Sequence, residues 1–394
     1  MQITIVGGGF GGVKAALTLA KRKNVRITLI SDKPDFQYYP ALYGTATGHS
    51  HLQSWIPLGE IFADHDNIDV IIDSVTKLDK IAKTITAASG TVYPYKKLIL
   101  ALGSVTTYFG IPGLNEYAYG IKSHDEISRL KQHLLEEFSR PNAADKDFLI
   151  IGAGPTGVEL ASALGTYLKH LKNKYRQPEP RISISIIEAA PRVLPRMSEK
   201  SSALVAARLK KLGVHVELNK KVESETADTL IVSGKPITSH TVIWTSGVAN
   251  NPFFSANAEQ FELSKNGKVV VDAYLRADKD IYVIGDNAFT QWSGLAQTAL
   301  HDGIFAAKHI LGTSKKKYSA KLPPVVVPVG EDWAIFEYKK LRFGGRLGAL
   351  IRSAADFVGY SDILPFGQAL GVWRAQKIKE EYYYVAKPQT ETEV

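Results

Sequence analysis

Two segments of the chain share one pattern of hydrophobic and polar positions. In each, a short apolar run leads into glycines at G-x-G-x-x-G spacing, and an amphipathic stretch with apolar residues three and four positions apart follows. The first segment spans residues 3–20 and the second spans residues 148–164. Another apolar run comes after each of them, at residues 26–30 and 182–187. The pattern therefore predicts the same strand–helix–strand unit twice.

The glycines of both units have the spacing of a dinucleotide-binding loop. The first glycine permits a tight turn, the second lets backbone approach a pyrophosphate, and the third lets helix and strand pack closely. The helix that follows presents free N–H groups and its positive dipole end to a diphosphate. The residues concerned are Gly7, Gly9, Phe10, Gly11 and Gly12 in the first unit, and Gly152, Gly154, Pro155, Thr156 and Gly157 in the second. Two such loops in the same context predict two dinucleotide sites.

The residue at the end of the second strand of each unit is a candidate for binding the adenosine ribose. Glu188 directly follows the apolar run 182–187. A carboxylate there accepts hydrogen bonds from a ribose 2′-hydroxyl and repels a 2′-phosphate, which favours NADH over NADPH. Arg192 nearby weakens that preference. In the first unit Ser31 holds the equivalent position and Asp32 follows it, so either residue is a candidate.

Three further strand-like runs end in small residues. They lie at residues 97–113, 241–248 and 281–286, and their ends include Gly103 and Gly247. Small residues at strand ends let a flat ligand lie against backbone, although each run taken alone is better explained by a crowded turn.

The chain after about residue 323 has a different pattern. A β-rich opening precedes a helical stretch whose apolar residues follow three–four spacing, namely Leu347, Leu350, Ile351, Ala354, Phe357 and Val358. Arg352 and Asp356 lie off this stripe. A basic amphipathic helix is typical of a membrane interface, but the same stripe also suits packing on the protein's own core.

Composition narrows the possible chemistry. The 394 residues include no cysteine, which excludes disulfide frameworks, thiolate metal sites, cysteine nucleophiles and redox dithiols. The net charge of +9 favours anionic partners, and residues 339–379 concentrate it, with eight Lys/Arg against two acids. No run of 18 apolar residues predicts a membrane-spanning helix, and no signal peptide is expected. No metal site is expected either, because His49 and His51 have no third ligand nearby.

The motifs together resemble the two-dinucleotide-binding flavoprotein superfamily, and more closely the type II NADH dehydrogenases, which are NADH:quinone oxidoreductases. The matching segments, in the family's order, are GGGFGG (7–12), YYPALYGTATG (38–48), residues 95–113, GAGPTGVELA (152–161), IYVIGD (281–286) and AQTALHDG (296–303). The last resembles the quinone-side motif A-Q-x-A-x-Q-x-G. His301 stands where the family has its second glutamine.

The resemblance implies an α/β fold of the glutathione-reductase type, with two Rossmann-like domains and a C-terminal α+β membrane-associating region. It implies an FAD-binding domain at residues 1–112 and 266–322 and an NADH-binding domain at 113–265. Residues 323–394 would serve membrane association and dimerisation. The expected protein is a homodimeric, non-proton-pumping enzyme on the cytoplasmic face of the cell membrane, with non-covalent FAD, NADH as substrate and a quinone as acceptor.

The resemblance also implies residue roles. Asp286 would bind an FAD ribityl hydroxyl, and the helix start at Ala296, Gln297 and Thr298 would face the flavin pyrimidine. Gln297 and His301, four residues apart, would line the quinone site. Glu159 would lie near nicotinamide and flavin and relay protons; an acid favoured by the helix dipole is the alternative.

Other functions fit parts of the sequence. A soluble NADH oxidase or a ferredoxin-type reductase would use the same two nucleotide sites without a quinone. A redox sensor would bind NADH and FAD without rapid turnover. The basic segment alone would suit nucleic acid, but no recognised nucleic-acid module accompanies it, so nucleic-acid binding is not expected.

Overall fold

The computed structural model describes residues 1–139, 147–176 and 182–381. The strands in chain order are β1 (Gln2–Val6), β2 (Arg26–Ser31), β3 (Asp35–Gln37), β4 (Trp55–Pro57), β5 (Ile68–Ile72), β6 (Val75–Asp79), β7 (Thr84–Ala87), β8 (Val92–Pro94), β9 (Lys97–Leu100), β10 (Ser104–Thr106), β11 (Asp147–Ile151), β12 (Ser183–Glu188), β13 (Val214–Leu218), β14 (Val222–Glu225), β15 (Thr229–Val232), β16 (Lys235–Thr238), β17 (Thr241–Trp244), β18 (Val248–Asn250), β19 (Arg276–Asp278), β20 (Ile281–Val283), β21 (Val325–Pro328), β22 (Ala334–Tyr338) and β23 (Leu341–Gly345).

The helices in chain order are α1 (Phe10–Ala20), α2 (Leu42–Ala46), α3 (Leu58–Phe62), α4 (Leu114–Tyr117), α5 (His124–Ser139), α6 (Pro155–Lys174), α7 (Glu199–Lys211), α8 (Pro252–Ala256), α9 (Ala296–Ile310), α10 (Arg346–Ser361) and α11 (Phe366–Ala375). Short 3₁₀ turns occur at Tyr39–Ala41, His51–Gln53, Ala258–Gln260 and Gly285–Asn287. No helix within the described ranges is long and apolar enough to cross a membrane.

The first sheet has six strands in the order β19-β20-β9-β1-β2-β5, and all neighbours except β19 and β20 are parallel. Its central strands are buried apolar runs, as expected for a parallel sheet covered on both faces. Helices α1 and α9 cross on it so closely that only glycine fits at position 303. A Cβ built on Gly303 would lie 2.4 Å from the carbonyl oxygen of Gly11. The sheet therefore joins strands from the start of the chain to strands near residue 280.

The second sheet has four parallel strands in the order β13-β12-β11-β17. Helix α6 packs on it with half of its residues buried. An antiparallel three-stranded sheet accompanies each parallel sheet, β6-β7-β8 with the first and β14-β15-β16 with the second. The paired strands β10 and β18 form a short antiparallel ribbon between the two units. The prediction of an α/β fold with two Rossmann-like units is confirmed.

The C-terminal region combines the antiparallel sheet β21-β22-β23 with α10 and α11. Helix α10 buries part of its polar face and exposes several of its apolar residues. Leu350 is 67% exposed and Val358 is 59% exposed, whereas Asp356 and Tyr360 are buried. The apolar stripe predicted on this helix is therefore largely turned to the outside, and of its members Phe357 packs against the core and on Trp373.

Candidate functional site

The first glycine loop connects β1 to α1. Gly7 has φ +113°, and a Cβ built there would lie 2.2 Å from the carbonyl oxygen of Ala101, so only glycine fits. A Cβ on Gly12 would lie 1.9 Å from the oxygen of Gly7. A Cβ on Gly9 would meet no described atom within 4 Å. The loop is thus tightly packed at Gly7 and Gly12 and open at Gly9, directly before the N-terminus of α1. This arrangement fits a diphosphate such as that of FAD.

The side chain of Phe10, predicted beside this diphosphate, is buried and packs edge-on to Phe36 with ring centroids 4.8 Å apart. Only its backbone N–H remains a candidate for binding. Ser31 is also buried, and its hydroxyl hydrogen-bonds the backbone of Lys33. Asp32 is exposed and makes no hydrogen bond to a described residue. Of the two predicted ribose residues, Asp32 therefore has the accessible side chain.

Asp286 lies where β20 ends, at the carboxyl edge of the first sheet. Its Oδ2 accepts a hydrogen bond of 2.7 Å from Ser104 Oγ. The next residue, Asn287, binds both backbone groups of Gly103, accepting at 2.9 Å and donating at 2.7 Å, and also donates to Asn250 Oδ1. The predicted positions Gly103 and Asp286 are thus held together.

Helix α9 begins at Ala296 without a side-chain cap, which leaves the first N–H groups available to a ligand. Thr298 Oγ1 is buried and has no hydrogen-bond partner among the described residues. A buried hydroxyl without a partner fits a site that is completed by a bound group, here the predicted flavin. Gln297, in contrast, is exposed.

His301 lies one turn further along α9. Its Nε2 is 3.2 Å from the carbonyl oxygen of Ser319, and its ring centroid is 5.6 Å from that of Tyr318. Burial lowers the pKa of His301 below its ordinary value, so the ring is mainly neutral at pH 7. In the neutral ring the N–H at Nε2 donates to Ser319, which leaves Nδ1 as an acceptor for a hydroxyl group such as that of a quinol.

Asp302, the next residue, was missed in the sequence. Its carboxylate is fully buried, and it accepts hydrogen bonds from the N–H of Gly285 at 3.0 Å and from the hydroxyl of Tyr318 at 2.6 Å. Burial raises the pKa of Asp302 to about 6. The residue ties α9 to the turn that carries Asp286. An acid inside the matched segment 296–303 was the only sequence signal for it.

The second glycine loop repeats the geometry of the first. Gly152 has φ +108°, and a Cβ on Gly157 would lie 1.9 Å from the oxygen of Gly152. A Cβ on Gly154 would meet no described atom within 4 Å. Pro155 opens α6 at its first turn, where the missing N–H costs nothing, and Thr156 follows it. This loop likewise opens in front of a helix N-terminus.

Glu188 lies beside this loop at the end of β12. Its Oε2 accepts a hydrogen bond from the N–H of Ala153 at 2.6 Å, and its Oε1 accepts one from Ala190 at 2.7 Å. The predicted ribose carboxylate is thus fixed next to the glycine loop. On the opposite side, Gly247 follows β17 with φ +74°.

Glu159 has a partner that the sequence did not indicate. Its Oε1 lies 3.0 Å from Nη1 of Arg352 in α10, and both side chains are only 11% exposed. Arg352 Nε also binds Asp356, and its Nη2 donates to the carbonyl oxygen of Pro40 at 2.6 Å. Tyr38 donates to Asp356 at 3.1 Å. The cluster joins the first unit, the second unit and the C-terminal region.

Burial raises the pKa of Glu159 to about 7, and the charge of Arg352 opposes this rise. The carboxyl can therefore gain and lose a proton near neutral pH, as a proton relay requires. Arg352 belongs to the basic segment 339–379, which the sequence associates with anionic partners, but the structure buries its side chain. Arg352 and Asp356 are four residues apart on the inward side of α10, opposite the apolar stripe, and this spacing was the available sequence signal.

No group of three or more His, Asp or Glu residues within the described ranges could hold a metal ion. His49 and His51 instead contact the end of the described chain. His51 Nδ1 lies 2.9 Å from the carboxylate of Glu380, and His49 Nε2 lies 2.9 Å from Lys379 Nζ.

Comparison with known proteins agrees with this geometry. The family described as pyridine nucleotide-disulphide oxidoreductase matches residues 1–303. A Mycobacterium tuberculosis protein named type II NADH:quinone oxidoreductase Ndh is 32% identical over 346 residues, which are 82% of this chain and 74% of that protein. A Staphylococcus saprophyticus protein named type II NADH:quinone oxidoreductase is 27% identical over 332 residues, 78% of this chain and 81% of that protein.

Solved structures share the fold. The structure of NDH2 from Plasmodium falciparum in complex with NADH has a TM-score of 0.85 at 18% identity, covering 95% of this chain and 97% of that chain. The sulfide:quinone oxidoreductase of Aquifex aeolicus has a TM-score of 0.75 at 20% identity, covering 93% of this chain and 92% of that chain. Because this chain has no cysteine, it has no disulfide chemistry of its own. The chain belongs to the pyridine nucleotide-disulphide oxidoreductase family and, within it, to the type II NADH:quinone oxidoreductases.

Proposed function

We propose that this protein is a non-proton-pumping NADH:quinone oxidoreductase that uses non-covalently bound FAD. The observation that carries the proposal is the pair of glycine loops, each open above its middle glycine and each directly before a helix N-terminus. When bound, FAD supplies the redox chemistry, since it accepts hydride from NADH and returns two electrons to a quinone. The chain itself supplies binding, orientation and proton handling.

The first unit would hold FAD. The loop from Gly7 to Gly12 would bind its diphosphate, Asp32 an adenosine ribose hydroxyl, and Asp286 a ribityl hydroxyl. The N–H groups at the start of α9, from Ala296 to Thr298, would stabilise negative charge on the ring system because the helix dipole is positive there. The partnerless hydroxyl of Thr298 supports this placement.

The second unit would hold NADH. The loop from Gly152 to Gly157 would bind its diphosphate, and Glu188 would accept a hydrogen bond from the ribose 2′-hydroxyl. The two backbone amides that hold Glu188 keep its carboxylate in place before the substrate arrives. A 2′-phosphate would meet this negative charge, so NADH would be preferred over NADPH.

Quinone reduction consumes two protons as well as two electrons, so a proton donor near the reacting groups is needed. Glu159 has the required pKa, and Arg352 stabilises its carboxylate after the proton has left. Gln297 and His301 would orient the quinone from one face of α9. The exposed position of Gln297 leaves its amide accessible to a substrate from outside.

We further propose that the protein attaches peripherally to the anionic cytoplasmic face of the cell membrane. The support is the exposed apolar side of α10 and α11, formed by Leu347, Leu350, Val358 and Phe366. Lys and Arg residues of the same region would add attraction to anionic lipid headgroups. A homodimer formed through residues 323–394 is also proposed, on the basis of the family resemblance.

The test is NADH oxidation by the purified holoprotein with and without a short-chain quinone, with the flavin absorbance recorded throughout. We expect NADH to bleach the flavin and quinone to restore its absorbance rapidly. Bleaching followed by reoxidation with dioxygen or ferredoxin alone would instead indicate an oxidase or a ferredoxin-type reductase. Slow reoxidation with every acceptor would indicate a sensor.

A further inference from the structure

Lys122 lies at the junction of the two nucleotide-binding units. The segment before it pairs with β17, since Tyr119 exchanges hydrogen bonds of 2.8 Å with Val242 and Trp244. The backbone N–H of Lys122 donates to Glu126, whose own N–H is capped by Ser123 at 3.1 Å. The segment that carries Lys122 is therefore anchored to the second sheet and to the start of α5.

The backbone of Lys122 is also tied to the first unit. Its carbonyl oxygen accepts a hydrogen bond from the amide of Gln37, which belongs to β3. A side chain projecting from such a position keeps its place relative to both predicted ligands.

The side chain of Lys122 has donor capacity left for a ligand. Within the described part of the chain, its ammonium makes one long hydrogen bond, 3.4 Å, to the carbonyl oxygen of Gly247. The carboxylates of Glu126 and Asp286 face it, while burial lowers its pKa from the ordinary value. An ammonium group has three donors, so two of them lack a strong acceptor among the described residues.

The place of Gly247 identifies the part of the substrate that Lys122 would meet. A dinucleotide crosses the carboxyl edge of a Rossmann sheet over the glycine loop of its first strand. Here that strand is β11, with β12 and Glu188 on the adenosine side and β17 and Gly247 on the opposite side. The nicotinamide half must lie on the β17 side, towards the first unit, because hydride transfer requires contact with the flavin.

We propose that Lys122 is a positioning residue that binds an oxygen atom of the nicotinamide half of NADH. The ammonium would donate to the carboxamide oxygen or to a hydroxyl of the nicotinamide ribose, and Gly247 and Asp286 would keep it between the two sites. This inference rests on the proposed function, since it takes the second unit to be the NADH site.

The test compares Lys122→Met, Lys122→Arg and the parent holoprotein by calorimetric titration of the oxidised enzyme with NAD⁺ and with ADP. ADP carries the adenosine and both phosphates but lacks the nicotinamide half. We expect Lys122→Met to weaken NAD⁺ binding on the order of tenfold, the usual effect of losing a charged hydrogen bond, and to leave ADP binding unchanged. Lys122→Arg, which keeps the charge, should retain most of the affinity.

Lys169→Met, on the exposed side of α6, is the matched control, and flavin content and melting temperature are measured for every variant. Unchanged NAD⁺ affinity in Lys122→Met would overturn the inference. Equal loss of NAD⁺ and ADP binding would also overturn it, because it would indicate a diphosphate contact or a structural defect. If the parent bound neither NAD⁺ nor ADP, the proposed NADH site itself would fail.

Discussion

Nη1 of Arg352 lies 3.0 Å from Oε1 of Glu159, although 193 positions separate the two residues in the chain. The pair is buried, so neither charge is screened by solvent. Breaking one side of such a pair leaves the other charge without compensation, which is more costly than losing a surface ion pair. The contact makes the C-terminal helix α10 part of the proposed proton path.

Replacing Arg352 by methionine should raise the pKa of Glu159 above its value of about 7, because burial would remain and the opposing positive charge would be lost. The corresponding inflection in the pH profile of kcat/KM should move to higher pH by roughly one unit or more. Arg352→Lys should move it less. Glu159→Gln should abolish the inflection and lower kcat on the order of 100-fold, if the residue relays protons. An inflection that persists in Glu159→Gln would assign it to another group.

Asp302 should make stability depend on pH. Its pKa is raised to about 6 in the folded protein, so between about pH 4 and pH 6 the folded state binds more protons than the unfolded state. Stability is lost as the pH rises through this window, by about 3 kcal/mol in total, and the loss is complete above it. Asp302→Asn should therefore become more stable relative to the parent from pH 4 to pH 6, as seen in melting temperatures. The exposed Asp66→Asn should show no such trend, and a pH-independent difference for Asp302→Asn would contradict the argument.

His301 should affect the quinone half of the reaction alone. Its ring lies on the face of α9 shared with Gln297 and is held by Ser319. In stopped-flow measurements, His301→Ala should reduce the rate of flavin reoxidation by quinone about tenfold, the order of effect of one lost hydrogen bond. Flavin reduction by NADH should be unchanged. His301→Gln introduces the amide that the family motif has at this position and should recover much of the rate. Equal slowing of both half-reactions in His301→Ala would place His301 outside the quinone site.

The exposed apolar side of α10 should bind membranes. Leu350→Glu and Val358→Glu each remove an apolar side chain and add a charge of the wrong sign for anionic lipid. Each should weaken binding to anionic vesicles about tenfold or more, since burying one such side chain contributes about 1.5–3 kcal/mol. Activity with a short-chain quinone in solution should stay the same. Ile81→Glu is the matched control, because Ile81 is 98% exposed on a different part of the surface. If Ile81→Glu lost as much vesicle binding, α10 would not be the membrane-binding surface.

The fold was predictable because its signals are local. Glycine spacing, apolar runs and helix starts lie within about twenty residues of each other, so two Rossmann-like units followed directly from the sequence. The positions of Gly12 and Gly157 could be read in the same way, since each lies against the carbonyl oxygen of the first glycine of its own loop. Gly7 and Gly152 followed from the motif spacing, although the atoms that crowd them belong to Ala101 and Ser246, far along the chain.

The contacts between units were not predictable. Arg352 is a common surface residue type, and its neighbours at Pro40 and Glu159 come from distant parts of the chain. Lys122 carried no motif, because its position depends on main-chain hydrogen bonds to β3 and α5. The helical pattern of residues 347–358 indicated two faces but not their directions, and the buried face proved to be the polar one.

The orientation of α10 determines which changes would detach the protein from the proposed membrane without harming Glu159. The side of the helix that would meet lipid and the side that carries Arg352 belong to the same sixteen residues. Shortening the chain near residue 340 would thus release it from the bilayer and, in the same step, strip Glu159 of its counter-ion. An active protein that no longer binds membranes would require substitution of the exposed side chains of α10, such as Leu350 and Val358, with Arg352 left in place. The proposed membrane contact and the counter-ion of Glu159 thus lie on opposite faces of one helix.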